Sequence, residues 1–209
     1  MILRVLKDSP VPDFKDEAGL WVRSYTTYNK QHLTRAGSVW KSILARCKTG
    51  GTYQEKYPTY IGVTNGFKDF QEFAEWCQSQ YGYMNKEDNG KFWSLDKDLK
   101  VLGNRVYCPE TCIFVPARVN TLGVSCNSRR GDHPVGVTSS KFANRFESYC
   151  GDGKGYKEHL GYFDSELEAH QAWQRYKIDL IKRLCQNDLE VASHKELVHC
   201  LLGKASKIE

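Results

Sequence analysis

The chain has 209 residues, of which 40% are hydrophobic, 12% aromatic and 26% charged, with a formal net charge of +5. That composition excludes a disordered, collagen-like or low-complexity polymer, and the length holds one large domain or two small ones. The positive balance suits a partner that carries phosphates but does not by itself demand one.

The opening segment, MILRVLKDSP, meets Asp8 and Pro10 too soon to form a secretory signal core. No later run approaches the apolar length that crosses a bilayer, so the expectation is a cytoplasmic protein with no membrane partner. Pro10, Pro12, Gly19 and Gly37 punctuate residues 1–37, which read as an irregular or partly extended lead-in. A helix follows, with Trp40, Ile43, Leu44 and Cys47 on one face. TGGTYQEKYPTY (residues 49–60) reads as a loop. A second helix spans about Phe67 to Gln80, where the stripe Phe67, Phe70, Phe73, Ala74 and Cys77 is a core face.

A compact unit comes next: a strand over Phe92–Asp98, a turn at Gly103-Asn104, and a returning strand over Val106–Val115. Pro116 fits the first turn of a short helix, Ala117–Leu122, because its missing N–H has no intrahelical partner there. The segment from Gly123 to His133 is small, polar and turn-forming, a linker whose charge is Arg129 and Arg130. Beyond it, strands are expected at Val135–Ser139, Phe146–Cys150 and His159–Phe163. Ser165 and Glu168 then form a capping-box signature. It opens an amphipathic helix carrying Leu167, Ala169, Ala172, Trp173, Tyr176 and Leu180 on one face. Three strands backed by a helix make a small α+β domain. Residues from Asp188 to Leu202 read as one further helix with a charged tail. The eight cysteines lack the dense framework of a secreted scaffold and are read as reduced, buried small hydrophobes. Cys108 and Cys112 have a spacing that zinc sites tolerate, but only scattered cysteines remain to complete such a site, so zinc is not expected.

Trp40 with Arg46-Cys47, the aromatic helix ending at Trp76-Cys77, SLDKDL (94–99), YCPETCIFVP (107–116) and Asn120 together resemble the HNH (ββα-metal) nuclease family. The likeness is to its phage and intron-encoded homing-endonuclease branch, and it covers about two fifths of the chain. It implies metal-assisted phosphodiester hydrolysis with magnesium or manganese. Asp96 would be the strand ligand and Asn120 the helical ligand, with Thr111 at the position of the bracing asparagine. Lys97 stands where the family has its general-base histidine, and a protonated amine cannot accept a proton.

From Pro134 to Leu184, the entry HPVGV (133–137), RFESYC (145–150), HLGYFDS (159–165) and the helix ELEAHQAWQRYK (166–177) resemble the ethylene-response-factor (AP-two) DNA-binding domain. This resemblance implies a sheet that enters the major groove of duplex DNA. Its outward positions fall on Thr138, Ser140, Tyr149, Lys157 and His159, with Lys141 and Arg145 nearby.

The expected architecture is therefore α+β: a ββα-metal module within residues 1–122, a linker over 123–133, a three-stranded sheet plus helix over 134–184, and a C-terminal helix and tail over 185–209. The expected function is that of a phage DNA-binding protein, acting in a bacterial host cell, that nicks DNA under direction of its C-terminal domain. A catalytically silent DNA binder, and a fold recruited to a host protein, remain as alternatives. DNA target, metal identity and oligomeric state stay open.

Overall fold

The structure is a computed structural model. It describes residues 34–122, 132–141, 145–153 and 155–208, together with four short lead-in strands. These strands are β1 (Phe14–Lys15), β2 (Trp21–Val22), β3 (Tyr28–Asn29) and β4 (His32–Leu33). They pair antiparallel as β1–β2 and β3–β4, so the irregular or partly extended lead-in expected from the sequence contains two short ladders. The protein is α+β, and it packs as two compact units. The first comprises Met1–Lys86 and Leu95–Phe114, and the second Glu87–Ser94 and Val115–Glu209.

In the first unit, α1 (Arg35–Cys47) is started by Thr34, whose hydroxyl accepts the Gly37 N–H at 3.0 Å. Its buried face is Ala36, Gly37, Val39 and Ile43. Leu44, expected inside, is 45% exposed, because the face turns toward the earlier, smaller residues. Residues 49–60 are not a plain loop. They form α2 (Thr52–Lys56) and a 3-10 turn (Pro58–Tyr60). These pack Tyr53 against a tilted Tyr57 ring and edge-to-face with Tyr60, at 5.1 and 5.4 Å between ring centroids. Strand β5 (Thr64–Asn65) precedes α3 (Phe70–Ser79), which Asp69 caps by accepting the Glu72 N–H at 2.9 Å. Phe67, Phe73, Ala74 and Cys77 are all buried, and Trp40, Phe67, Phe73, Trp76 and Phe114 form a continuous set of ring contacts. Aromatic area of this kind gives a small unit most of its hydrophobic drive.

The strand expected over Phe92–Asp98 is the shorter β6 (Ser94–Asp96). It stops where the Asp96 carboxylate captures two backbone N–H groups of the following turn. The returning strand is two pieces, β7 (Val106–Tyr107) and β8 (Ile113–Val115). Pro109 interrupts the ladder by lacking a donor, and a turn closes when Cys108 O accepts from Thr111 N and Cys112 N. Strand β7 pairs parallel with β5, and β6 pairs with β8.

In the second unit, α4 (Ala117–Leu122) follows Pro116 directly, as the proline position predicts. The sheet is β9 (Val137–Ser139), β10 (Phe146–Gly151) and β11 (Lys157–Phe163), in the order β11-β10-β9 with antiparallel neighbours. Helix α5 (Glu166–Asn187) covers one side, and Ser165 caps it by accepting the Glu168 N–H at 3.2 Å. The buried positions of α5 are Ala169, Lys177, Ile178, Ile181 and Cys185, whereas Leu167 is 64% exposed. The core stripe thus runs further toward the C-terminus than the periodicity suggested. The reason is the chain that follows. The single expected C-terminal helix is two, α6 (Leu189–Ala192) and α7 (Lys195–Ala205), each with its own cap, Asp188 and His194. Helix α7 packs on α5 through Leu197, Leu201 and Ala205, all buried. The tail is held as well: Gln174 donates to the Ile208 carbonyl at 2.6 Å. Among the described residues, no helix is long and apolar enough to cross a membrane.

Two glycines tie the sheet to its surroundings. Gly136 (φ +82°) lies against the Trp173 indole so closely that a Cβ there would overlap the ring. His170 stacks on the same indole at 5.5 Å and bonds to the Val135 carbonyl. Gly161 (φ +129°) sits at a bulge, where Ser148 faces Gly161 but Tyr149 faces His159.

Candidate functional site

Two places gather the chemistry-bearing side chains, one in each unit. The first is the turn after β6. Asp96 Oδ1 accepts the Asp98 N–H at 2.8 Å and the Leu99 N–H at 2.7 Å. Burial first, and then the charge of Asp98, push the Asp96 carboxyl up to about 6 against the pull of those two N–H groups. Lys97 turns its amine inward. Nζ donates to the Asn104 carbonyl at 3.0 Å and meets Asp98 at 3.2 Å, with the side chain only 11% exposed. Asn104 returns the contact by donating to the carbonyls of Lys97 (2.6 Å) and Val106 (2.7 Å). Thr111 closes the same loop through its hydroxyl, which donates to the Val106 carbonyl at 2.9 Å. Asn104 is therefore the main brace of this turn, although sequence reasoning had treated it only as a turn former.

Near this turn, Arg46 sits over Tyr53 and Tyr60, with its guanidinium carbon 5.9 and 5.4 Å from the ring centroids, and donates to the Tyr107 hydroxyl at 3.2 Å. Burial raises the Tyr107 hydroxyl well above the usual phenol range despite the arginine.

Asp96 and Lys97 thus stand side by side in the first unit, while Asn120 lies on α4 in the second. Carboxylate and amide oxygens are hard donors suited to magnesium or manganese. A buried carboxylate whose proton affinity is raised by a second carboxylate is also the setting that a bound cation relieves. Among the described residues, no group of three or more His, Cys, Asp or Glu is arranged to hold a metal ion. Cys112 is buried and its thiol is pushed up to about 12, chiefly by burial. Cys108 contacts the Thr111 hydroxyl at 3.2 Å.

The second place is the side of the sheet away from α5. Ser148 and Cys150 are buried toward the helix, so Glu147 and Tyr149 point the other way. Register then carries the face across the strands: Thr138 lies opposite Glu147, and Tyr162, His159 and Lys157 lie opposite Glu147, Tyr149 and Gly151. Ser140, two residues beyond Thr138, reaches the same face and donates to Glu147 Oε1 at 2.8 Å. The five outward positions that the family resemblance implied, Thr138, Ser140, Tyr149, Lys157 and His159, therefore share one surface. Lys141 and Arg145 are exposed beside it, and Arg145 is paired with Asp164 at 3.0 Å. Arg129 and Arg130 lie outside the described residues.

Sequence reasoning missed two members of this surface. Tyr162 joins His159 and Tyr149 in a row of rings with centroids 4.9 Å apart at each step. Glu147 sits beside them, accepting from the Tyr149 hydroxyl as well as from Ser140. Those two hydroxyls hold its carboxyl below the usual range. Strict alternation from Tyr149 would have placed Glu147 on the outer face. Tyr162 could not be found that way, because the bulge shifts its side.

No protein-family model, curated protein or solved structure matches this chain.

Proposed function

We propose that the chain is a duplex-DNA-binding protein of the HNH endonuclease kind, whose C-terminal sheet lies in the major groove and directs slow, metal-dependent nicking. The observation that carries the binding half is the shared outward surface of Thr138, Ser140, Tyr149, Lys157 and His159 on a three-stranded sheet backed by one helix. A sheet face can enter the major groove, and the hydroxyls, rings and cation of this one suit base edges and phosphates. The ββα order of β6, β8 and α4 supports an HNH-like module. In the first unit Asp96 would be the residue that holds a divalent ion, which would supply charge stabilisation at the scissile phosphate. Lys97 contributes no base, since its amine is a donor spent on Asn104 and Asp98.

That last observation favours a second reading, a silent DNA binder in which Lys97 keeps the turn closed. Nicking of a supercoiled plasmid with magnesium or manganese separates the two. The nickase reading expects slow nicking in the wild type, none in Asp96→Ala, and a rise in Lys97→His toward the roughly hundred- to ten-thousand-fold that a general base contributes. Inactivity of wild type and Lys97→His alike, with DNA binding intact, establishes the silent binder. For binding itself, affinity should fall steeply with salt as counterions are released. A flat salt response, or no retardation of duplex at low salt, removes the DNA reading altogether.

A further inference from the structure

Glu147 is an unexpected residue on a surface offered to DNA. A carboxylate repels phosphate, so a backbone contact cannot account for its presence there. Neither is it a loose surface charge. Ser140 Oγ donates to one carboxylate oxygen and the Tyr149 hydroxyl to the other. Register fixes Glu147 between Thr138 on β9 and Tyr162 on β11. The row Tyr149, His159 and Tyr162 walls the neighbouring part of the face. The carboxylate is therefore oriented before any ligand arrives, and each oxygen keeps a second lone pair for an incoming donor. The Tyr149 and Ser140 hydroxyls hold its carboxyl below the usual range, with the Lys141 charge adding to their effect.

We propose that Glu147 is a specificity-determining residue that accepts a hydrogen bond from the exocyclic N4 amine of one cytosine in the major groove. The inference rests on the duplex-DNA reading above. Chemistry selects the base. Guanine presents two acceptors in the major groove and thymine an acceptor and a methyl group, so neither offers a donor to a carboxylate. Adenine has a donor at N6, but its N7 acceptor lies beside it and faces the second carboxylate oxygen. Cytosine offers the N4 donor with no adjacent acceptor. Among the four bases it alone complements a group that only accepts.

The test is selection from a randomised duplex pool by the full chain, in the wild type, Glu147→Gln and Glu147→Ala, with circular dichroism to confirm equal folding. Wild-type sites should contain one position held by cytosine, with other bases bound roughly 5- to 150-fold more weakly, the range for one good base contact. Glutamine carries both a donor and an acceptor, so Glu147→Gln should move that position from cytosine to adenine. Glu147→Ala should leave it without preference while retaining duplex binding. Wild-type binding without a cytosine position, or a cytosine position unchanged in both variants, overturns the assignment and leaves the DNA reading standing. Failure of the wild type to bind any duplex overturns both.

Discussion

Asp96 and Glu147 are carboxylates in two different settings, and their surroundings push them in opposite directions. Asp96 is packed in, shares its neighbourhood with Asp98 and holds its proton up to about 6. Glu147 lies on a solvent face, receives two hydroxyl donors and is held below the ordinary carboxylate range. The turn around Asp96 spends its polar groups on itself, through the Lys97–Asn104 exchange and the Thr111 hydroxyl. The sheet face uses its internal bonds to present an acceptor outward. Self-satisfied polar groups make a rigid frame, and groups with capacity left over make a recognition surface.

The frame behind the sheet face can be broken first. Ending the chain after Leu184 removes α6 and α7 and uncovers Ile178 and Ile181, which are 9% and 2% exposed in the full chain. At about 1.5–3 kcal/mol for each buried aliphatic side chain, the loss should approach about 5 kcal/mol in a denaturant titration. A midpoint equal to that of the full chain would show that α7 is dispensable to the sheet. Gly136→Ala strikes the same frame from the opposite edge. It places a Cβ against the Trp173 ring at a φ of +82°, and should cost about 3 kcal/mol through overpacking and backbone strain. A change below about 0.5 kcal/mol would mean that the strand moves aside readily.

The turn responds to pH instead. The folded Asp96 carboxyl binds its proton more tightly than an unfolded one, whose ordinary value is 3.8. Its contribution is therefore full below about 4 and lost as pH rises through about 6, a drift on the order of 3 kcal/mol in metal-free buffer. Asp96→Asn keeps an oxygen for the Asp98 and Leu99 N–H groups and should flatten this part of the pH–Tm curve. An unchanged curve would assign the drift elsewhere. The smallest effect is expected at Tyr149→Phe. It should leave the melting temperature unmoved while the Glu147 titration, followed by NMR, shifts upward for want of the phenolic donor. A downward shift or none would remove Tyr149 as the group that holds the carboxylate.

Local signals in the sequence were legible where a residue acts through its own backbone. Ser165 caps α5, Pro116 opens α4, and the three C-terminal strands lie within two residues of their expected starts. The aromatic stripe of α3 is buried for the same reason, since its spacing is a property of the helix alone. What escaped was whatever another element decides. Leu44 and Leu167 have helical spacing but no covering element among the described residues, whereas Ile178, Ile181 and Cys185 are buried where α6 and α7 pack onto α5. The outward sheet positions could be read from alternation up to the bulge. Glu147 was within reach of that reasoning, while Tyr162 and the Asn104 brace depend on contacts between residues that the sequence does not place together.

The bulge at Ser148 and Tyr149 has a consequence for how this surface can change. His159 and Tyr162 are three residues apart, and an unbroken strand would send them to opposite sides of the sheet. The unpaired Leu160 is what lets both stand on the outer face. Loss of one residue between them would leave them two apart, so a regular strand would keep both rings on the outer face without the bulge. Closing the bulge at the present chain length would instead turn one of the two rings under α5, with no substitution at any contacting position. The outward row of rings therefore depends on the irregularity of the strand as much as on the identity of its side chains, and Gly161, with its φ of +129°, lies in that irregularity.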